Sequence, residues 1–345
     1  MSKTGQKVTL KDIAKETGYS LATVSRVLGN GDRFFSDETE KIILEAAQRL
    51  HYRPNLLARG LKTGNTYSIA FLVPQLDEYY NNVYLGIHNY MSKQGYSVST
   101  LSSDYNQLQE DINIQHIIER QYDGVIVATG FLSRERNLHP KKVFGETPLV
   151  MTEYEDRGDK ILSVSLNVRE AAVQMTEYLI GIGHRKIAYL SAPDRFDTLS
   201  ERYKGYRLAL NRHGIELDSS IVFFDEALER TNYDEMYRLM KRILSHREFT
   251  ALISMSDYAA IAALRVASDM GLKIPEDLSI IGFDDVPYTQ YTMPPLTTVS
   301  QKSYIAGQES AKILMGLLQG VPVKNTRLDC ELVVRGSCGP CRQFL

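Results

Sequence analysis

Cysteine is scarce in this chain: three in 345 residues, at Cys330, Cys338 and Cys341. That excludes a disulfide framework and suits a reducing compartment. No apolar run approaches the roughly 20 residues that cross a bilayer, and the opening Met-Ser-Lys-Thr lacks the apolar stretch of a secretory signal. A cytoplasmic protein without a membrane partner is expected. Catalytic signatures are missing too. No GxGxxG, Walker A, HExxH or GxSxG pattern sits in a context that supports catalysis. His184, after Gly181-Ile-Gly183, reads as a helix-terminal residue and not as a base. Cys338-Gly-Pro-Cys341 has thioredoxin spacing but follows a strand pattern within the last eight residues, with no βαβ unit around it. A structural zinc needs four ligands, and no histidine lies near the three thiols. No enzyme, metal or cofactor is expected.

What the chain does have is an ordinary globular composition, 43% hydrophobic, and a length that suits two or three domains. The net charge of −2 hides an asymmetry. Residues 1–62 carry 11 Lys and Arg against 7 Asp and Glu, and the remainder carries 29 against 35. The basic head is the part suited to phosphates.

Thr9 reads as an N-cap before a helix with Leu10, Ile13 and Ala14 on one face. Gly18 breaks that helix, and Ser20 caps a second from Leu21 to Leu28, with Val24, Val27 and Leu28 inward. Two short helices joined by a Gly-containing turn form a helix-turn-helix pattern, whose second helix enters the major groove. Leu21, Ala22 and Thr23 would meet base edges or thymine methyls, while Ser25 and Arg26 reach phosphate or guanine. The rival reading, a plain helical hairpin, fits the polar Thr23, Ser25 and Arg26 less well. Ser36 caps a third helix with Ile42, Ile43, Ala46, Ala47 and Leu50 inward. Tyr52-Arg53-Pro54-Asn55 ends the headpiece, and LLARGLK after it is too short to be a stable helix alone.

LKDIAKETGYSLATVSRVL followed by YRPNLLARGL resembles the headpiece and hinge of the lactose repressor/galactose repressor family. The resemblance implies that hinge helices of two subunits pair in the minor groove, where Leu61 would wedge between base steps and Ala58 permits close approach. It therefore implies a homodimer on near-palindromic operator DNA. Thr9, Ser20 to Thr23, Ser25, Arg26, Asn55, Ala58 and Leu61 form the expected DNA-binding set.

From Tyr67 on, apolar runs alternate with helical patterns. SIAFLVP, YSVSTLSS, DGVIVATG and TPLVMTEY read as buried parallel strands; KIAYLSAP, SIVFF, TALISMS and LSIIGFDD form a second set. Two successive doubly wound units follow, a body that resembles periplasmic sugar-binding proteins. The expected fold is thus an all-α helix-turn-helix headpiece over 1–54, a hinge over 55–65, and an α/β body over 66–345. Within the body, one subdomain takes about 66–167 and 299–325, and the other about 168–298 and 326–345.

Ligands of such sheets bind beyond the carboxyl ends of strands. Tyr79, Tyr80, Asn81, Glu153, Tyr154, Phe196, Thr198, Arg202, Asp257 and Asp284 all follow strand patterns. Carboxylates and an arginine fork onto vicinal hydroxyls, and aromatic faces stack on sugar rings. The family resemblance implies that Arg202 and Asp284 contact effector. Each residue also has a bland reading: Asp284 as a turn cap, Arg202 as a surface ion pair, Tyr79 and Tyr80 as interface residues, Asp257 and Asp285 as caps. The resemblance breaks after SIVFF, where relatives often place a stacking aromatic and this chain has Glu226 and Ala227. The expected effector is a sugar or sugar phosphate, acting on a repressor of a carbohydrate-utilisation operon. Two alternatives remain: a regulator answering to a phosphorylated carrier protein, and a sugar-binding protein without a regulatory role.

Overall fold

The computed structural model describes residues 8–29, 35–52, 64–128, 140–155, 160–193, 197–228 and 232–341. The expected hinge residues Asn55, Ala58 and Leu61, and Phe196 of the expected pocket, lie outside the described residues. The chain divides into two compact units, Met1–Thr66 and Tyr67–Leu345.

Among its described residues the first unit holds three helices, α1 (Leu10–Thr17), α2 (Leu21–Val27) and α3 (Asp37–Arg49). Asp12 reaches back to the start of α1 and accepts from the backbone N–H and hydroxyl of Thr9, at 2.8 and 2.7 Å. Gly18 ends α1 at φ 74°, a left-handed position where a Cβ would be strained. The Ser20 hydroxyl accepts from the Thr23 backbone N–H at 3.1 Å and begins α2. Ile13, Val24, Ile43, Ala46 and Ala47 form the buried core, with Leu10, Tyr19, Val27, Leu28 and Leu50 against it. Ile42, expected inward, is 39% exposed. Its neighbour Ile43 takes the core position, since adjacent residues on a helix point about 100° apart.

The second unit is built on two sheets. In chain order its first elements are β1 (Ser68–Val73), α4 (Glu78–Met91), β2 (Ser97–Ser102), α5 (Gln107–Glu119), β3 (Gly124–Ala128), α6 (Pro140–Phe144), β4 (Leu149–Thr152) and β5 (Ser163–Leu166). There follow α7 (Val168–Gly181), β6 (Ile187–Ser191), α8 (Asp197–Arg212), β7 (Val222–Phe224), α9 (Tyr233–Ser245), β8 (Ala251–Ser254), α10 (Asp257–Asp269) and β9 (Ser279–Ile281). The chain closes with β10 (Thr298–Ser300), α11 (Ser303–Leu318), β11 (Thr326–Leu328) and β12 (Glu331–Val333).

The first sheet runs β11-β5-β4-β3-β1-β2 and the second β7-β6-β8-β9, every pairing parallel. Bridges from Ile281 to Thr297 and from Asp284 to Ser300 place β10 beside β9, and β12 pairs antiparallel with β10. Two points differ from the sequence reading. The short, half-polar β5 was not anticipated. Residues 326–328, expected in the second subdomain, pair with β5 in the first sheet, so the last crossover falls between Leu328 and Glu331. Asn167 ties two crossovers together: its amide donates to Asp329 at 2.7 Å and its carbonyl accepts from the Cys330 N–H at 2.6 Å.

Helices α4 and α11 pack at backbone distance. A Cβ on Gly86 would collide with the Tyr304 carbonyl, and one on Gly307 with the Val83 carbonyl. The two helices cannot separate locally, because the buried Val83, Ile87, Ala306 and Leu314 hold both in one core. Gly307→Ala should therefore destabilise the body by about 2 kcal/mol. Urea unfolding of the variant checks this; an unchanged midpoint would refute the close packing.

Candidate functional site

Parallel strands deliver their carboxyl ends to one region, and six segments meet there. Beyond β1, Asp77 caps α4, accepting from the Tyr80 N–H at 2.9 Å and from the Gln75 amide at 2.8 Å. This cap starts the helix so that Tyr79 and Tyr80 are buried, edge to face with centroids 5.1 Å apart. Beyond β4 comes Glu153, whose carboxylate accepts a long 3.4 Å hydrogen bond from the Tyr80 hydroxyl. Glu153 has φ 61° and Asp284, beyond β9, has φ 122°, conformations that side-chain-bearing residues seldom adopt. Backbone strain of this kind costs on the order of 1–3 kcal/mol and clusters at ligand sites.

Arg202 on α8 is the cation of the region and is 8% exposed. One Nη donates to the Met255 carbonyl at 2.6 Å and the other to Gln301 at 3.3 Å. Asp284 lies 4.0 Å from the guanidinium and accepts from the Gln301 amide at 2.6 Å. The guanidinium also sits 3.8 Å over the Phe283 ring. Such a buried charge is tolerated because its donors are largely satisfied. Its Nε, the Tyr79 hydroxyl and one oxygen of Glu153 are nevertheless buried without a hydrogen-bond partner among the described residues. Unmet polar groups gathered in one cluster can hydrogen-bond a polar ligand.

Not every expected residue belongs to this cluster. Tyr154 packs into the apolar core on the opposite face of the first sheet with Ile114, Ile117 and Phe144, because successive residues point to opposite faces. Asp257 is wholly buried and spent on structure, accepting from Thr298 at 2.5 Å and from the Val286 N–H at 2.9 Å. Asp285 is likewise taken by Arg335 at 2.6 Å. Asn81 is exposed on α4, and the side chain of Thr198 lies outside the described residues. Conversely, Gln301 was missed. Its signal was available: a polar residue immediately after the LTTVS strand, the same placement that marked the others. His184 is buried and accounted for, its ring nitrogens bonded to Thr250, Ser279 and the Gly339 carbonyl. Cys330, Cys338 and Cys341 are free and buried; burial pushes the Cys338 thiol up to about 12, so it stays protonated and inert.

On the headpiece, Leu21, Ala22 and Arg26 are exposed along α2, Leu21 at 44%. An exposed leucine beginning a helix is an apolar contact point left uncovered by the described residues of its unit. Thr23 and Ser25 are half-buried, and the Thr23 hydroxyl is shared with Ser20 at 2.8 Å.

Burial raises the acids of the pocket. Glu153 is pushed up to about 7, and Asp284 stands well above the carboxylate range despite the opposing pull of Arg202. Because the folded state holds the Glu153 proton more tightly, this residue costs no stability below pH about 4.5, and its penalty grows as pH rises to about 7 and then levels. The full penalty is roughly 3 kcal/mol. Glu153→Gln, which cannot ionise, should melt higher than the wild-type chain above pH 7 and lose that advantage near pH 5. A gap in Tm independent of pH would refute the buried carboxylate.

Residues 9–55 match the model of bacterial regulatory proteins of the lacI family, and residues 176–338 match a periplasmic binding protein-like domain. The transcriptional repressor CytR of Escherichia coli is 32% identical over 333 residues, covering 95% of this chain and 96% of CytR. Among solved structures, the complex of the transcriptional regulator CelR with cellobiose is 26% identical with a TM-score of 0.68, covering 96% of this chain and all of that one, 100%. A Lac repressor dimer bound to operator and the anti-inducer ONPF shares the fold at a TM-score of 0.82 and 24% identity, over 96% of this chain and 99% of that chain. No helix among the described residues is long and apolar enough to cross a membrane. The exposed α2 face, the twin parallel sheets and a near full-length likeness to a repressor agree: the chain belongs to the LacI family and is a DNA-binding transcriptional regulator.

Proposed function

We propose that this regulator is a cytoplasmic homodimeric repressor of a carbohydrate-utilisation operon, controlled by a sugar held between the two sheets. The observation that carries this reading is the set of unmet donors and acceptors on Tyr79, Glu153 and Arg202, gathered beside Asp284. A polyol supplies hydroxyls that donate to Glu153 and Asp284 and accept from Arg202. Tyr79 and Tyr80 offer rings for its C–H faces. CelR was solved with cellobiose, which supports a carbohydrate in the equivalent region here. The Lac repressor was solved as a dimer on operator, which supports a dimer reading a near-palindromic site.

Control works by population shift. The site draws on both sheets: the Glu78 N–H, beyond β1, donates to the Tyr258 hydroxyl on α10 at 2.8 Å, and Gln301 lies at a crossover. A ligand that bonds both sides favours one relative placement of the sheets, and the hinge over 55–65 then pairs or separates on DNA. On the headpiece, Leu21 and Ala22 contact bases and Arg26 reaches guanine or phosphate, while Thr9 and Ser20 fix the starts of their helices.

The test is fluorescence anisotropy on operator DNA from the regulator's own promoter region, with a panel of mono- and disaccharides. At least one sugar should change operator affinity, and operator should change that sugar's affinity by the same factor. Arg202→Met, which keeps the packing over Phe283, should still bind operator but lose the response. Indifference to every sugar would end the effector reading. The hinge is tested separately: Leu61→Ala should reduce DNA bending and weaken specific binding roughly tenfold or more, and unchanged bending would exclude a leucine wedge.

A further inference from the structure

Charge around the pocket narrows the ligand class. The Tyr79 hydroxyl feels Glu153, Asp284 and Arg202, and Asp77 bears on both Glu153 and Asp284. Two acids, Glu153 and Asp284, therefore face one guanidinium, with Asp77 close to both acids. Arg202 is not free to take an anion, since Met255 and Gln301 hold its Nη atoms and Asp284 already stands beside it. Only its Nε is without a partner among the described residues. The acids have the greater spare capacity: one oxygen of Glu153 makes no well-formed hydrogen bond among the described residues, the Tyr79 hydroxyl being its near neighbour, and the other accepts the long bond from Tyr80. The remaining nearby acids do not count, because Asp257 is spent on Thr298 and Val286, and Asp285 on Arg335.

A phosphate group set here would lie against Glu153 with no uncommitted cation among the described residues to neutralise it. A hydroxyl, in contrast, donates to that oxygen and accepts from Nε. We propose that the pocket selects an uncharged, unphosphorylated polyol, with Glu153 as the specificity-determining residue that accepts a ligand hydroxyl and repels anionic ligands. This rests on the sugar-effector reading above and excludes the sugar phosphates that reading would otherwise admit. Juxtaposing like charges within a few ångströms in a buried site lowers affinity roughly ten- to a hundredfold. Losing a charge-assisted hydrogen bond has an effect of similar size.

The experiment is isothermal titration of the full chain with D-glucose, D-ribose and cellobiose, each beside its phosphate monoester. It is run at about pH 8, above the value of about 7 at which Glu153 ionises. A neutral sugar should bind and its ester should bind about tenfold weaker or worse. In Glu153→Gln the neutral sugar should weaken by about tenfold, and the gap to the ester should narrow. Thermal melting of the variant separates loss of binding from loss of fold. An ester that binds as tightly as its parent, or a gap unchanged in Glu153→Gln, overturns the proposal while leaving a sugar pocket standing. No binding by any pair overturns the sugar reading itself and this proposal with it.

Discussion

A guanidinium buried where two sheets converge sets the terms for the rest of the body. A buried guanidinium without acceptors would destabilise the fold, and the chain supplies them from separate segments: the Met255 carbonyl beyond β8, Gln301 beyond β10, and Asp284 beyond β9. Phe283 closes one face of the ion. Each acceptor lies at a strand end, so parallel sheets are a condition of the arrangement. Antiparallel neighbours would send alternate strand ends to the opposite edge.

Because those segments include a crossover, the pocket and the join between the sheets are one structure. Gln301 donates to Asp284, accepts from Arg202 and precedes Lys302, where the chain turns into α11. Asn167 links the other two crossovers through Asp329 and Cys330. A ligand that takes bonds from Arg202 or Asp284 thus alters the partners of a residue on the connecting chain. Site and crossover share hydrogen bonds, which ties the connection between the sheets to the groups that would meet a ligand.

The site is also where the fold accepts unfavourable terms. Glu153 and Asp284 have positive φ, their carboxyls are pushed upward by burial, and three polar atoms lack partners among the described residues. Other buried polar groups near the strands, such as His184 and Asp257, are fully engaged. At Glu153 and Asp284 backbone strain and a raised carboxyl coincide in one residue, a combination found where side chains serve binding rather than stability.

Local chemistry made the headpiece legible. Thr9, Gly18, Ser20 and Ser36 occupy the cap positions their spacing predicts, since capping acts over three or four residues. Runs such as SIAFLV and GVIVA declared parallel strands because burial on both faces leaves them almost wholly apolar. Short β5 gave no such signal, and the partner of β11 could not be read from its own residues. The strand-end rule named Tyr79, Tyr80, Glu153, Arg202 and Asp284, which the fold brings close together. It could not separate Glu153 from Tyr154, which diverge to opposite faces, nor recognise that Asp257 serves Thr298, 41 positions away. By itself the sequence determined the order of elements, the DNA-reading helix and the strand ends available for a ligand, because these depend on neighbours along the chain. Tertiary structure alone decided which of those side chains remain unsatisfied and meet in one pocket, because hydrogen-bond satisfaction depends on neighbours across it.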